Sequence, residues 1–512
     1  MTFAPPVAGP VQRRPLWRRL TDRPAPRLHP KVLGLLEIGP VFVVAVVLAP
    51  FVIEGGSLSP WNPNFCDLLV YRLAVDDLWA GRDIYDTVSP VYGLKFIYPP
   101  AAALVMAPLR FGTELVWELV WTWLNAWAMV VVLRRCRVPR GAVLSILAVI
   151  AVMAFEPIRT TIGYGQVNLL LMALVVVDLL PGDRPRRLPR GLLIGLAAAI
   201  KLTPLLFVVL LVLIGARRAA AWATGAFAGL SLLAAAILPS ETIRFVSQFG
   251  HGDFSTGASW LASNQSWTGW LTRLGSDSGP WLLAGLLVGL AVAGLATVVA
   301  ALWWRQGERL CAVGLVGLAT CLASPLSWSH HHVWGLLALV GAATAPRLAR
   351  WVKAGLIAWG LWLALCPTLS LLPPPGGEPY YNGVEQVIVN LVPAGGSALI
   401  LACAITAWRD GRLSRPWRSW LSPEPSAFPP PAPSAFPPPM SSAFPPPAPA
   451  AFSESASPVA QPPLPTALVE PPPGAAEPLS SAADTSAPAA VRPQPHSRPA
   501  DRPPSRGGGH RL

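Results

Sequence analysis

Two stretches of this chain decide most of what it can become. Residues 191–214 and 281–304 each run for over 20 positions with at most one charge. A segment of about 20 mostly apolar residues spans the hydrocarbon core of a bilayer. Further apolar runs fall at about 33–53, 113–133, 142–156, 165–181, 219–239, 309–325, 330–345, 351–372 and 384–408. Only 13% of the 512 residues are charged, against about 25% in soluble domains. An all-α, polytopic membrane protein is expected. A soluble enzyme, a disulfide-stapled secreted domain and a nucleic-acid binder are poor fits.

The formal charge of +13 does not reverse that conclusion. Lys and Arg sit in short clusters between the apolar runs, the pattern that orients membrane proteins with their basic loops inside. Residues 1–32 carry Arg13, Arg14, Arg18, Arg19, Arg23, Arg27 and Lys31 against one acid, Asp22. They read as a basic cytoplasmic segment. The turns 134–140, 184–190, 217–218, 305–309, 347–353 and 409–418 belong to the same face, and the opposite face keeps Arg72, Arg82, Lys95, Arg159, Arg244 and Arg273. A single crossing over 191–215 would expose Arg217 and Arg218 outside. The Lys201-Leu202-Thr203-Pro204 stretch resolves this, because an interior proline breaks a helix. Two shorter helices turning at Lys201 restore the rule and give about twelve spans with both termini inside. Residues 99–110, bounded by Pro99-Pro100 and Pro108, read as a short helix that dips in without crossing.

Three segments follow: 1–32 cytoplasmic, 33–410 membrane-embedded, and 411–512 a cytoplasmic tail. The last 94 residues hold 27 of the 59 prolines, and Ala-Phe-Pro-Pro-Pro recurs at 427–431, 435–439 and 443–447. Such a composition buries no core and is expected to be disordered. The six cysteines are scattered without ligand spacing and read as small core residues.

Chemistry is expected on the extracytoplasmic side, where the polar residues other than Arg gather. The long first loop, 54–97, holds Asp67, Asp76, Asp77, Asp83 and Asp86. Leu68, Tyr71, Val75, Leu78 and Trp79 recur there at helical spacing, predicting an amphipathic helix at the membrane surface. Asp67 opens that helix, where a carboxylate also serves as an ordinary cap. Polar groups at the ends of apolar helices tend to face the interior and to function. They include Tyr98, Gln166, Asn168, Asn264, Gln265, Ser327, His330 and His331. Neighbouring histidines on a helix point in different directions, so sugar-hydroxyl or phosphate contact is expected here and no metal. No phosphate-binding Gly-rich loop, His-Glu-x-x-His or Gly-x-Ser-x-Gly is present. No cofactor is expected.

An ordered set of short motifs then carries a resemblance. It comprises Asp67 with Ala80-Gly81-Arg82-Asp83-Ile84-Tyr85, Phe96-Ile97-Tyr98-Pro99-Pro100, Gly165-Gln166-Val167-Asn168, Ala199-Ile200-Lys201-Leu202-Thr203-Pro204, Asn264-Gln265-Ser266, and Ser324-Pro325-Leu326-Ser327-Trp328 with His330-His331. Over roughly 33–410 the chain resembles the GT-C glycosyltransferases of family 87, actinobacterial α-1,2-mannosyltransferases using polyprenyl-phosphate-mannose. The resemblance implies a GT-C-type bundle in the plasma membrane, a lipid-linked sugar donor, a glycolipid or polysaccharide acceptor and inversion at the sugar. It implies Asp67 as general base, with Asp76 or Asp77 in reserve. His330, His331 and Lys201 would meet the donor phosphate, with Arg159 and Arg72 less central; Tyr98, Gln166, Asn168, Asn264 and Gln265 would meet sugar hydroxyls. The alternative is a transporter or flippase of lipid-linked sugars, although matched repeat halves are not evident. Tag-accessibility mapping should find 134–140 and 409–418 on the cytoplasmic side; labelling of either from outside would overturn the topology.

Overall fold

The computed structural model describes residues 29–412 except 55–56, 61–63, 92, 183–185, 252–258, 277, 367–371 and 373–380. The segment expected at 1–32 and the tail expected at 411–512 therefore lie outside the described residues, save 29–32 and 411–412.

Helix α1 (Pro30–Leu48) starts with proline in its first turn, where the missing amide costs nothing. It ends before Pro50, which cannot extend it. A small antiparallel hairpin follows, β1 (Phe51–Glu54) on β2 (Ser57–Pro60), in register Phe51 with Pro60. This short hairpin leaves the fold helical, as expected, and the first helix ends before the expected residue 53. The remaining elements of the described chain are helical: α2 (Cys66–Trp79), α3 (Pro100–Met106), α4 (Glu114–Arg135), α5 (Ala142–Ala154), α6 (Glu156–Gly163), α7 (Asn168–Leu179), α8 (Leu192–Ile200) and α9 (Leu206–Leu213). They continue with α10 (Arg217–Ile237), α11 (Pro239–His251), α12 (Trp267–Leu274), α13 (Gly279–Arg305), α14 (Arg309–Ala323), α15 (Gly335–Thr344), α16 (Arg350–Leu365) and α17 (Gly383–Arg409). Short 3₁₀ turns cover Ile84–Asp86, Ala107–Arg110, Thr203–Leu205 and Ser329–Trp334.

Five of these helices, α1, α4, α10, α13 and α17, are long and apolar enough to cross a membrane. The pair α5 and α6 would make a sixth but bends by 81°. Among the other expected spans, 165–181, 191–215, 309–325 and 330–345 are occupied by the shorter helices α7, α8 with α9, α14 and α15. Each stops where the chain turns into a polar stretch. Lys201 is extended (φ −148°, ψ 130°) and breaks α8 from α9, with Pro204 in the 3₁₀ turn that follows. All of α6 is buried, so its irregular entry is shielded by protein, the condition for broken backbone at membrane depth.

One apolar core runs through the bundle, where α13 packs along α14, α10 along α8, α15 along α16 and α4 along α7. The outward faces stay apolar: Leu232, Leu233 and Ile237 of α10 are all exposed, as expected of a lipid-facing helix. The structure is that of a helical, polytopic membrane protein.

Charged knots hold one end of this bundle. Glu37 of α1 is fully buried; it accepts from Arg134, from Arg140 Nε at 3.3 Å and from the Gly141 amide at 2.8 Å. Asp178 of α7, equally buried, takes the Gly191 amide at 2.9 Å and the Ile194 amide at 3.1 Å, with Arg186 alongside. Its carboxylate thus satisfies first-turn donors of α8 that no helical carbonyl reaches. Removing one partner of a buried pair leaves an uncompensated charge, whereas exposed pairs contribute little. Glu37→Ala should lower the thermal midpoint in detergent by several degrees, while Asp410→Ala, which breaks the half-exposed pair with Arg412 at 3.1 Å, should leave it nearly unchanged. Equal midpoints for the two variants would remove Glu37 from this role.

Candidate active site

The first turn of α2 is where the site begins. Phe65, in the left-handed region (φ 55°), provides no side-chain cap. The backbone of the α6–α7 turn supplies the missing acceptors instead. Phe65 donates its amide to the Gly163 carbonyl at 2.7 Å, and Asp67 and Leu68 donate theirs to Tyr164 at 3.0 and 3.2 Å. Gly165 (φ 69°) makes this approach possible, because a Cβ there would lie 2.6 Å from Leu68 Cβ. With the first-turn amides answered by a carbonyl, the Asp67 carboxylate is not needed as a cap. It lies near the Gln166 side chain and within the field of Lys201.

Around it the chain brings together six of the other residues singled out from the sequence. Tyr98 and Tyr71 both reach Gln166 Oε1, at 3.0 and 3.1 Å, and their hydroxyls are 2.8 Å apart. Lys201 donates to Asn168 Oδ1 at 3.1 Å and lies 5.6 Å over the Tyr98 ring. Asn168 in turn donates to the His330 carbonyl at 3.0 Å, an acceptor shared with the Thr161 hydroxyl at 2.7 Å. The His330 ring makes edge contacts with Tyr164 and with His331, and Lys201 acts electrostatically on both imidazoles. Asp67, Tyr164, Lys201 and His331 are partly exposed, whereas Gln166, Asn168 and His330 are buried. A ligand therefore meets a carboxylate, an ammonium and an imidazole first.

Other sequence candidates are placed elsewhere. Asp77 pairs with Arg82 at 2.5 Å and accepts from Thr87, and Asp76 faces Arg110 at 3.5 Å. Both therefore brace the first loop. Asn264, Gln265 and Ser327 form a separate buried knot: Asn264 Oδ1 accepts from the Ser266 hydroxyl and the Ser327 amide, both at 2.9 Å. The Gln265 amide donates to the Ser327 carbonyl at 2.8 Å, and its side chain donates to Val389 of α17 at 3.0 Å. Arg159 is buried and donates to the Met153 carbonyl. Tyr71, Thr161 and Tyr164 were not among the site residues expected from the sequence. Tyr71 stands four residues after Asp67, on the same helix face, and that spacing was the available signal.

The carboxylate's environment sets its chemistry. Burial disfavours its charge and dominates; Gln166 and Lys201 offset this only in part, so the Asp67 pKa is pushed up to about 6 from an ordinary 3.8. Such a group is ionised at neutral pH yet far more basic than a solvated aspartate. Among the described residues, no three His, Cys, Asp or Glu side chains are placed to hold a metal ion.

This partly exposed carboxylate beside an ammonium, set into a helical membrane bundle, is the candidate site. The family model for glycosyltransferase family 87 matches residues 96–325. A polyprenol-phosphate-mannose-dependent alpha-(1-2)-phosphatidylinositol pentamannoside mannosyltransferase of Mycolicibacterium smegmatis is 32% identical over 406 residues, 73% of this chain and 94% of the relative. Its Mycobacterium tuberculosis counterpart is also 32% identical, over 74% of this chain and 89% of its own length. A polyprenol-phosphate-mannose-dependent alpha-(1-2)-phosphatidylinositol mannoside mannosyltransferase of M. smegmatis shares 32% over 68% of this chain and 83% of its own. No solved structure matches. The chain belongs to glycosyltransferase family 87 and is a glycosyltransferase. In infrared difference spectra against Asp67→Asn, the protonated-carboxyl band of Asp67 should vanish with a midpoint near pH 6. A midpoint near 4 would show a solvated side chain instead.

Proposed function

We propose that this enzyme transfers a mannosyl residue from polyprenyl-phosphate-mannose to a phosphatidylinositol mannoside or related cell-envelope glycan, on the extracytoplasmic face of the plasma membrane. The observation that carries this reading is the Asp67 carboxylate, released from capping, partly open, and set beside Lys201 in a family 87 chain. The donor and acceptor follow the relatives' names. A lipid-phosphate donor also suits a sequence without nucleotide-binding motifs.

In this reading Asp67 accepts the proton of an acceptor hydroxyl as its oxygen bonds to the anomeric carbon. The bond from that carbon to the donor phosphate oxygen breaks from the opposite side, and polyprenyl phosphate leaves with the electron pair. Inversion of a β-linked donor gives an α-1,2 linkage. Charge builds on the leaving phosphate, and fixed donors in a water-poor site stabilise it more than bulk water does. Lys201, His330 and His331 are assigned there, while Asn168 holds Lys201 in place. The surrounding architecture is read as a GT-C bundle of about twelve spans over 33–410 with a long first extracytoplasmic loop. The basic segment 1–32 and the tail 411–512 would both be cytoplasmic, and the short helices supply the spans beyond the long ones.

Purified full-length protein in nanodiscs, given polyprenyl-phosphate-mannose and phosphatidylinositol mannosides, should form α-1,2-mannosylated product. Asp67→Asn should lower turnover by about 10²–10⁴-fold, the usual worth of a general base, with normal membrane insertion. An active Asp67→Asn protein would remove Asp67 from this role. Turnover with a lipid-linked pentose and none with the mannose donor would reassign the sugar.

A further inference from the structure

Among the described residues, Lys201 is held without an ion pair. Its Nζ has one hydrogen-bond partner there, Asn168 Oδ1 at 3.1 Å, and no carboxylate within ion-pair distance. Its backbone is extended where α8 breaks off from α9. The charge therefore sits at an interruption inside an apolar run, where an unpaired ammonium is costly. Its other contact is aromatic: Nζ lies over the Tyr98 ring, 5.6 Å from the ring centre. That is inside the reach of about 6 Å within which a ring face attracts an ammonium.

Tyr98 is itself fixed from several sides. Its hydroxyl is 2.8 Å from that of Tyr71 and donates to Gln166 Oε1 at 3.0 Å. Its carbonyl accepts from the Tyr85 hydroxyl at 2.8 Å. Its ring meets that of Tyr71 edge-on at 5.2 Å and that of Phe96 at 5.6 Å. Pro99 follows directly, so the Tyr98 backbone is restricted as well. The residue is 6% exposed. A ring held at its hydroxyl, its edge and its backbone has little freedom to turn, and the face toward Lys201 is a fixed surface. The hydroxyl expected from the sequence to meet a sugar is engaged inside the protein instead.

We infer that Tyr98 is a positioning residue for Lys201, its ring face holding the ammonium at the α8–α9 break without neutralising it. This deepens the reading of Lys201 as a contact for the donor phosphate and rests on it. The kind of partner matters chemically. A carboxylate in contact with Nζ would cancel its charge and compete with an incoming phosphate. An aromatic face and an amide carbonyl attract a cation through a quadrupole and a dipole, and leave its full charge for a ligand. An ammonium carries three donor hydrogens. One goes to Asn168, the ring takes the side toward Tyr98, and what remains can meet phosphate oxygens where Lys201 is partly exposed.

The test is equilibrium binding of a water-soluble, fluorescent short-chain prenyl phosphate to the full-length protein in nanodiscs, read by anisotropy. Tyr98→Phe is the reference, and mono-, di- and trifluorophenylalanine replace it at the same position, so the lost hydroxyl is common to every member. Fluorine drains the negative face of the ring while changing its size little. Kd should rise step by step along the series, by about three- to tenfold in total. In a Lys201→Met background, where binding is weaker by about tenfold or more, the series should be flat. A flat series with Lys201 present would overturn the inference and leave Tyr98 a packing residue, and a series equally steep in the Lys201→Met background would do the same. Tyr98→Leu, which removes the ring face, replaces the series if the fluorinated proteins do not fold. Its loss of binding should likewise vanish in the Lys201→Met background, and persistence there would overturn the inference. If Lys201→Met with Tyr98 intact binds the probe as tightly as wild type, the phosphate assignment of Lys201 fails first, and that result is distinct from the others. The probe carries no sugar, so the outcome is independent of whether mannose is the group transferred.

Discussion

The Tyr164 carbonyl, accepting the amides of Asp67 and Leu68, is the contact on which the site depends. A helix N-terminus leaves amides that need acceptors, and an aspartate in the first turn is the ordinary way to supply one. Here a loop carbonyl does so, which releases the carboxylate for other work. The same contact docks the α6–α7 turn onto α2 and so brings Gln166 and Asn168 to Asp67. A side chain larger than glycine at residue 165 would separate the two. Position of Asp67 and position of its neighbours are thus one constraint.

The environment balances two opposed requirements. A carboxylate in open water is a weak base, and one sealed in an apolar core keeps its proton at neutral pH. Asp67 sits between these limits: burial lifts its pKa, while Gln166 and one nearby ammonium keep the lift moderate. Lys201 serves both sides of this arrangement. Its extended backbone breaks the apolar run at 191–215. Its ammonium, anchored by Asn168, supplies positive charge near a carboxylate whose ionisation burial disfavours.

Much of this was legible in the sequence, and the parts that were not share a cause. Local chemistry predicted the surface helix beginning near Asp67, the short helix over 99–110 bounded by prolines, and the break at Lys201. Each rests on the backbone preferences of neighbouring residues. The β1–β2 hairpin was missed because Phe51 to Ile53 read as the end of an apolar run. Polar residues at helix ends were recognised as a set, but composition does not say which of them meet. Asp76 and Asp77 look as available as Asp67 in the loop until Arg82 and Arg110 arrive from residues five and more positions away. Asn264 and Ser327 likewise spend their polar groups on each other. Tyr71 was read as one more apolar position on its helix, since its hydroxyl finds a use only when residues 98 and 166 fold against it.

Length and polarity along the helices also connect to the site. Among the described residues, five helices are long and apolar enough to cross a bilayer, and several others in apolar runs stop early. A helix that ends within apolar surroundings leaves carbonyls and amides needing partners, which lipid cannot provide. In this chain α6 and α7 meet each other and the Ser329–Trp334 turn, where Thr161 and Asn168 both donate to the His330 carbonyl. The broken ends therefore require a polar cluster, and the cluster requires protein around it. The Asp67 carboxylate beside it inherits a shielded setting that a loop in water does not give. The interruptions that shorten the helices are in that sense the same feature as the candidate site, seen along the chain rather than across the fold.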